Sequence, residues 1–213
     1  MKERKLYIQI LSVFSCFSVV VLHVNGCFWT FSYERYWITA NIMESIFYFA
    51  VPIFFMISGA TLIDYRKRYS TKNFLKKRIM KTVVPFIIWS IIGVIWYHYI
   101  GGEEIVGLKN VIEGIINAEY INIYWFFPSL FSVYLAIPFL SYIPEAVRKK
   151  IYGYVIIVAF AVNSLLPFVL QLLKFHYNVG LSMPVAGGYI LFLLIGANSH
   201  FPRPAGPHFP ASQ

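Results

Sequence analysis

The chain has 213 residues, of which 59% are hydrophobic, 19% aromatic and only 13% charged, with a formal net charge of +9. Soluble domains carry about 25% charged residues, so the composition excludes a water-soluble globule and marks an integral membrane protein. The positive charge forms neither a face nor an arm. It clusters at the ends of apolar runs, which points to membrane orientation and away from nucleic acid.

In chain order, residues 1–5 (MKERK) form a short basic start to an apolar run over residues 6–24. No small-residue cleavage site follows, so the run reads as a first membrane helix rather than a signal peptide. Phe28, Trp29, Phe31, Tyr33 and Tyr36 come next, in the pattern of an interfacial aromatic belt. A second apolar segment covers residues 37–63 and a third covers 83–100. Between them lies a hinge with Arg66, Lys67, Arg68, Lys72, Lys76, Lys77, Arg78 and Lys81, eight of the eighteen Lys and Arg in the chain. Residues 101–120 carry Glu103, Glu104, Glu113 and Glu119 against the lone Lys109, as expected of an outer loop, and the stretch GLKNVIEGIINA suits a short interfacial helix. A fourth segment over 124–142 leads to Arg148, Lys149 and Lys150, then a fifth over 151–173, a short outer loop and a sixth over 184–197.

This order puts fifteen of the eighteen cationic residues on one side, leaving Arg35, Lys109 and Lys174 on the other. The expectation is an all-α polytopic membrane helix bundle of about six transmembrane helices, with both termini cytoplasmic. One membrane domain covers residues 1–197, and a proline-rich stretch over 198–213 is expected to be disordered. Cys16 and Cys27 would lie ~16 Å apart on a continuous helix, too far for a disulfide, and read as small apolar side chains.

Few side chains are equipped for chemistry. His23 falls in the outer third of the first segment, where an ionisable group is costly and by default functional. Histidine also suits general-base work near neutral pH; the alternative is a ring satisfied by a neighbouring helix or by headgroups. Glu44 is a lone carboxylate in the second segment, with Arg35 as its expected partner. His98, near an outer helix end, reads as hydrated. Arg78, Lys81 and Lys77 serve either orientation or anion binding. Ser58 and Gly59 allow close approach of a ligand or of another helix. Trp125 and Tyr134 read as interface anchor and core filler, or as ligand contacts. No His, Cys or carboxylate cluster has metal-ligand spacing, and neither a glycine-rich nucleotide loop nor a serine elbow occurs.

The stretch YIQILSVFSCFSVVVLHVN resembles the first membrane helix of the acyltransferase-3 family of integral membrane O-acyltransferases. That family ends this helix with a histidine, matched by His23, and has an arginine eleven positions earlier, where this chain has Ser12. VPIFFMISGATL is similar to a family stretch ending in Ser-Gly, here Ser58 and Gly59. FLKKRIMKTVVPFIIW is similar to its basic pattern followed by proline and an aromatic, here Arg78, Lys81, Pro85 and Trp89. Lys81 stands where a second arginine is frequent, keeping the charge but not the planar fork. IYWFFPSLFSVYLAIPFL matches a further motif through Trp125, Tyr134 and Pro138, without the glutamate that some branches carry near Leu130 and Phe131. GGYILFLLIGA resembles a later glycine-containing helix, so the likeness runs over residues 6–197.

The resemblance implies acyl transfer, usually of acetyl, from acyl-coenzyme A as co-substrate to a hydroxyl of a cell-surface sugar or polymer. Under it, His23 deprotonates the acceptor, while Arg78, Lys81 and Lys77 pair with coenzyme A phosphates. Ser58, Gly59, Trp125, Tyr134 and Glu44 are further candidates. The implied partners are the lipid bilayer, acyl-CoA and a glycan or lipid-linked sugar acceptor, at the bacterial inner membrane. Family members have about ten membrane helices and this chain matches the first six, so a truncated and inert product is one alternative reading. A transporter or flippase component of polysaccharide export is another. It would require midplane charges or broken helices in repeated halves, and the sequence shows neither.

Overall fold

The computed structural model describes residues 6–102, 107–175 and 187–199. Among these the regular elements are all helical: α1 (Leu6–Val24), α2 (Arg35–Phe47), α3 (Ala50–Leu62), α4 (Thr71–Arg78), α5 (Val84–Tyr99), α6 (Gly107–Ile116), α7 (Phe126–Leu140), α8 (Glu145–Phe160), α9 (Leu166–Leu172) and α10 (Ile190–Asn198). Among the described residues, five helical stretches are long and apolar enough to cross a membrane: Leu6–Val24, Arg35–Lys67, Thr71–Tyr99, Asn122–Leu140 and Glu145–Leu172. The protein is an all-α, multi-pass membrane bundle. The expected sixth segment, residues 184–197, begins outside the described residues. What is described there is α10, nine residues long and continuing to Asn198. Residues 200–213 of the expected tail also lie outside.

Prolines shape the long stretches. The second is not one rod, because the helix breaks at Tyr48 and Phe49 between α2 and α3. Pro52 accounts for this, since its ring collides with the carbonyl four residues earlier and it has no N–H to donate. The third and fifth stretches each pass through a five-residue π-helical turn, Ile79–Val83 and Ala161–Leu165. Each turn lies just before a proline, Pro85 and Pro167, and the widened turn relieves the same collision. The sequence shows no broken helices; among the described residues the structure has one interrupted span and two π turns.

The hinge also differs from the expected loop. Ser70 caps α4, its Oγ accepting from the Asn73 backbone N–H at 3.4 Å. From Thr71 the chain is helical through to Tyr99. Lys72, Lys76, Lys77, Arg78 and Lys81 therefore sit on a helix, and only Arg66, Lys67 and Arg68 belong to the connector.

Two compact units divide the chain. One combines Met1–Leu62 with Pro144–Arg203. Its tightest junction is between α3 and α10, where Gly59 faces the Leu193 carbonyl and Gly196 faces the Met56 carbonyl. A Cβ at either glycine would overlap that carbonyl, so these backbones approach as closely as small residues permit. Phe55, Leu193, Leu194 and Ala197 are fully or almost fully buried here. α1 turns Ser15 and Ser18 inward, both with no exposed surface, and its Phe14 and Phe17 rings meet Phe49 and Phe47 at 5.6 and 6.3 Å.

The other unit contains Ile63–Ile143. Tyr65 and Phe74 stack at 4.3 Å with no exposed surface, and the Tyr65 hydroxyl meets Thr71 Oγ1 at 2.8 Å. Phe86 packs among Tyr124, Phe127 and Phe131, joining α5 to α7. α6 is amphipathic, as the sequence suggested for 107–118, and its buried Gly114 accommodates the Tyr120 ring.

Candidate functional site

The expected residues fall into two groups, one in each unit. In the first, His23 occupies the last turn of α1 and is exposed. Asn25 follows the helix and directs its amide at α2: Nδ2 donates to the Ala40 carbonyl at 2.8 Å and to Glu44 Oε2 at 3.2 Å. The next turn, Gly26–Trp29, docks on the same helix. Trp37 Nε1 donates to the Phe28 carbonyl at 3.0 Å, and the two rings stack at 6.3 Å. Of the expected aromatic belt, Phe28 and Phe31 contact Trp37, Phe31 at 4.8 Å from that ring, and Trp29, Phe31, Tyr33 and Tyr36 are exposed.

Glu44 is 8% exposed and is the one buried acidic side chain among the described residues. The expected pairing with Arg35 does not form. Arg35 is exposed at the start of α2, nine residues or about two and a half turns from Glu44. The Asn25 amide takes its place.

Ser58 and Gly59 serve the helix that carries them. The Ser58 hydroxyl donates to the Phe54 carbonyl at 2.9 Å, and Gly59 is occupied by the α10 contact. Gly59 thus makes the close helix approach, and Ser58 bonds within its own helix.

The second group gathers Lys77, Arg78 and Lys81. Lys77 Nζ lies 3.9 Å from the centre of the Tyr69 ring. The Arg78 guanidinium carbon is 5.5 Å from the Tyr134 ring and 5.7 Å from Phe74. Arg78 Nε is buried with no hydrogen-bond partner, leaving one strong donor unused. Lys81 is exposed in the π turn. Aromatic faces hold Lys77 and Arg78, and an anion would complement their charge.

Tyr134 therefore stands beside a cation rather than filling a purely apolar core. Trp125 does not join it, lying before the first turn of α7, 45% exposed.

Sequence reasoning missed three residues. Asn25 attracted no notice as the polar residue after an apolar run. Arg66 was one charge among eight, yet its Nε donates to Ser141 Oγ at 2.8 Å and its guanidinium carbon lies 3.5 Å from the Tyr142 ring. This clamp sets the hinge connector against the end of α7. Arg148, read only as one of three consecutive cations, is 6% exposed on α8. Nothing local in the sequence distinguishes it from Lys149 and Lys150.

The arrangement offers an uncovered imidazole at one helix end and, in the other unit, a cationic group suited to an anion. No curated protein and no solved structure matches the chain. A family model does: the acyltransferase domain of the acyltransferase-3 family matches residues 5–201, a span that includes every residue of both groups. The chain belongs to the acyltransferase-3 family of membrane O-acyltransferases.

Proposed function

We propose that this acyltransferase moves an acyl group, acetyl in the first instance, from cytoplasmic acyl-coenzyme A to a hydroxyl of a cell-surface or exported polysaccharide at the bacterial inner membrane. The observation that carries the reading is the family match running through His23, combined with the uncovered position of that ring at the end of α1. His23 takes the proton of the acceptor hydroxyl as its oxygen attacks the thioester carbonyl. The C–O bond forms, the C–S bond breaks, and the imidazolium returns the proton to the departing thiolate. Lys77, Arg78 and Lys81 hold the phosphates of the donor, with the idle Arg78 Nε supplying a charge-assisted hydrogen bond.

Membranes containing the protein, incubated with acetyl-coenzyme A labelled in the acetyl group, are expected to transfer label to glycan. Label that stays on coenzyme A would refute the reading. Export is the competing function, and the interrupted second span beside the buried Glu44 is the feature that favours it. Movement of a solute across sealed vesicles without acetyl transfer would decide for export.

A further inference from the structure

We infer that Asn25 and Glu44 form a rotational stop on α1 that presents His23, making both positioning residues for the acyl transfer proposed above, on which this inference rests. Phe14, Phe17 and Asn25 all engage the second membrane stretch: Phe14 and Phe17 pack against Phe49 and Phe47, and Asn25 bonds to α2. Asn25 is one residue past α1, but its backbone N–H still donates to the Val21 carbonyl at 3.0 Å, so helical spacing carries to it and puts the three along one side. His23 is two residues before Asn25, which on a helix is a rotation of about 200°. Pinning Asn25 to α2 therefore turns position 23 to the opposite side, and His23 is exposed there.

The aromatic pairs alone do not fix this angle, because ring contacts tolerate sliding. The Asn25 amide is directional. It meets two acceptors one turn apart on α2, the Ala40 carbonyl and the Glu44 carboxylate, at 2.8 and 3.2 Å. Rotation of α1 by one residue position, about 100°, would break both bonds and swing His23 toward α2. A carboxylate buried in a membrane stretch against a neutral amide is a poor device for stability, since desolvating it is expensive. Its presence makes sense if the angle it secures matters to the ring two residues away.

The test compares Asn25→Ala, Glu44→Ala and Glu44→Gln in purified, monodisperse protein. Both alanine variants should lower kcat at least about tenfold, as misplaced catalytic groups do, with KM for acetyl-coenzyme A within about twofold. Glu44→Gln keeps an acceptor for the Asn25 amide and should restore most of the rate. Wild-type kcat in Asn25→Ala, a loss confined to KM, or a Gln variant no better than Ala would each overturn the stop. A second measurement does not depend on acyl transfer. In a Cys16→Ser, Cys27→Ser background, His23→Cys reports the exposure of position 23 through its rate of maleimide labelling. Adding Asn25→Ala should change that rate more than about threefold, and a smaller change overturns the stop. Should the wild type transfer no acetyl while the labelling rate responds, it is the acyltransferase reading that fails and not the stop.

Discussion

His23 and Arg78 sit in contrasting surroundings. The imidazole is exposed at a helix end, whereas the guanidinium is partly buried between aromatic rings with its Nε unused. Replacing His23 with Ala removes the proposed base while taking away no buried contact. Acetyl transfer should fall at least about a hundredfold, the usual contribution of general-base catalysis, with membrane insertion unchanged; glycan labelling and detergent extraction check the two halves. Arg78→Gln should raise KM for acetyl-coenzyme A about tenfold with little change in kcat, the expected cost of one lost charge-assisted hydrogen bond. Initial rates at two salt concentrations check this, because an anion site weakens as ionic strength rises. At this scale His23 was legible, since an ionisable ring in an apolar run is conspicuous in one dimension. The partner of Glu44 was not: Arg35 was the obvious opposite charge, but the amide that reaches the carboxylate comes from 19 residues away.

Among the elements, the α3–α10 junction depends most on single residues. Each glycine lies against a carbonyl of the facing helix, so an added methyl must push backbone from backbone. Gly59→Ala and Gly196→Ala should each cost about 1–3 kcal/mol, as overpacking does, and lower the unfolding temperature in detergent. An unchanged melting curve would mean that the helices separate without penalty. The hinge gives a second element-scale lesson. Its charge pattern was visible in the sequence, but its helicity was concealed because lysines and arginines appear equally in loops and on helix surfaces. The Ser70 cap and the stacked Tyr65–Phe74 pair determine where the connector ends and α4 begins. Proline positions were equally visible, yet whether each yields a break or a π turn depends on how neighbouring carbonyls find partners.

For the whole molecule the grouping of cations predicts orientation. If the fifteen cations of the expected inner side do face the cytoplasm, a membrane-impermeant maleimide should label Asn117→Cys in intact cells and Lys76→Cys only after permeabilisation, both in a background without Cys16 and Cys27. Labelling of Lys76→Cys from outside would remove the donor site from the side where acyl-coenzyme A is made. Apolar run lengths, the grouping of cations and the family motifs were determined by the sequence alone, because each is a property of neighbours along the chain. Tertiary structure decided which amide reaches Glu44, which carbonyl meets Gly59 and which hydroxyl receives Arg66. Those partners lie 19 residues to more than half the chain apart, and only the packing of helices, each free to rotate about its own axis, selects them.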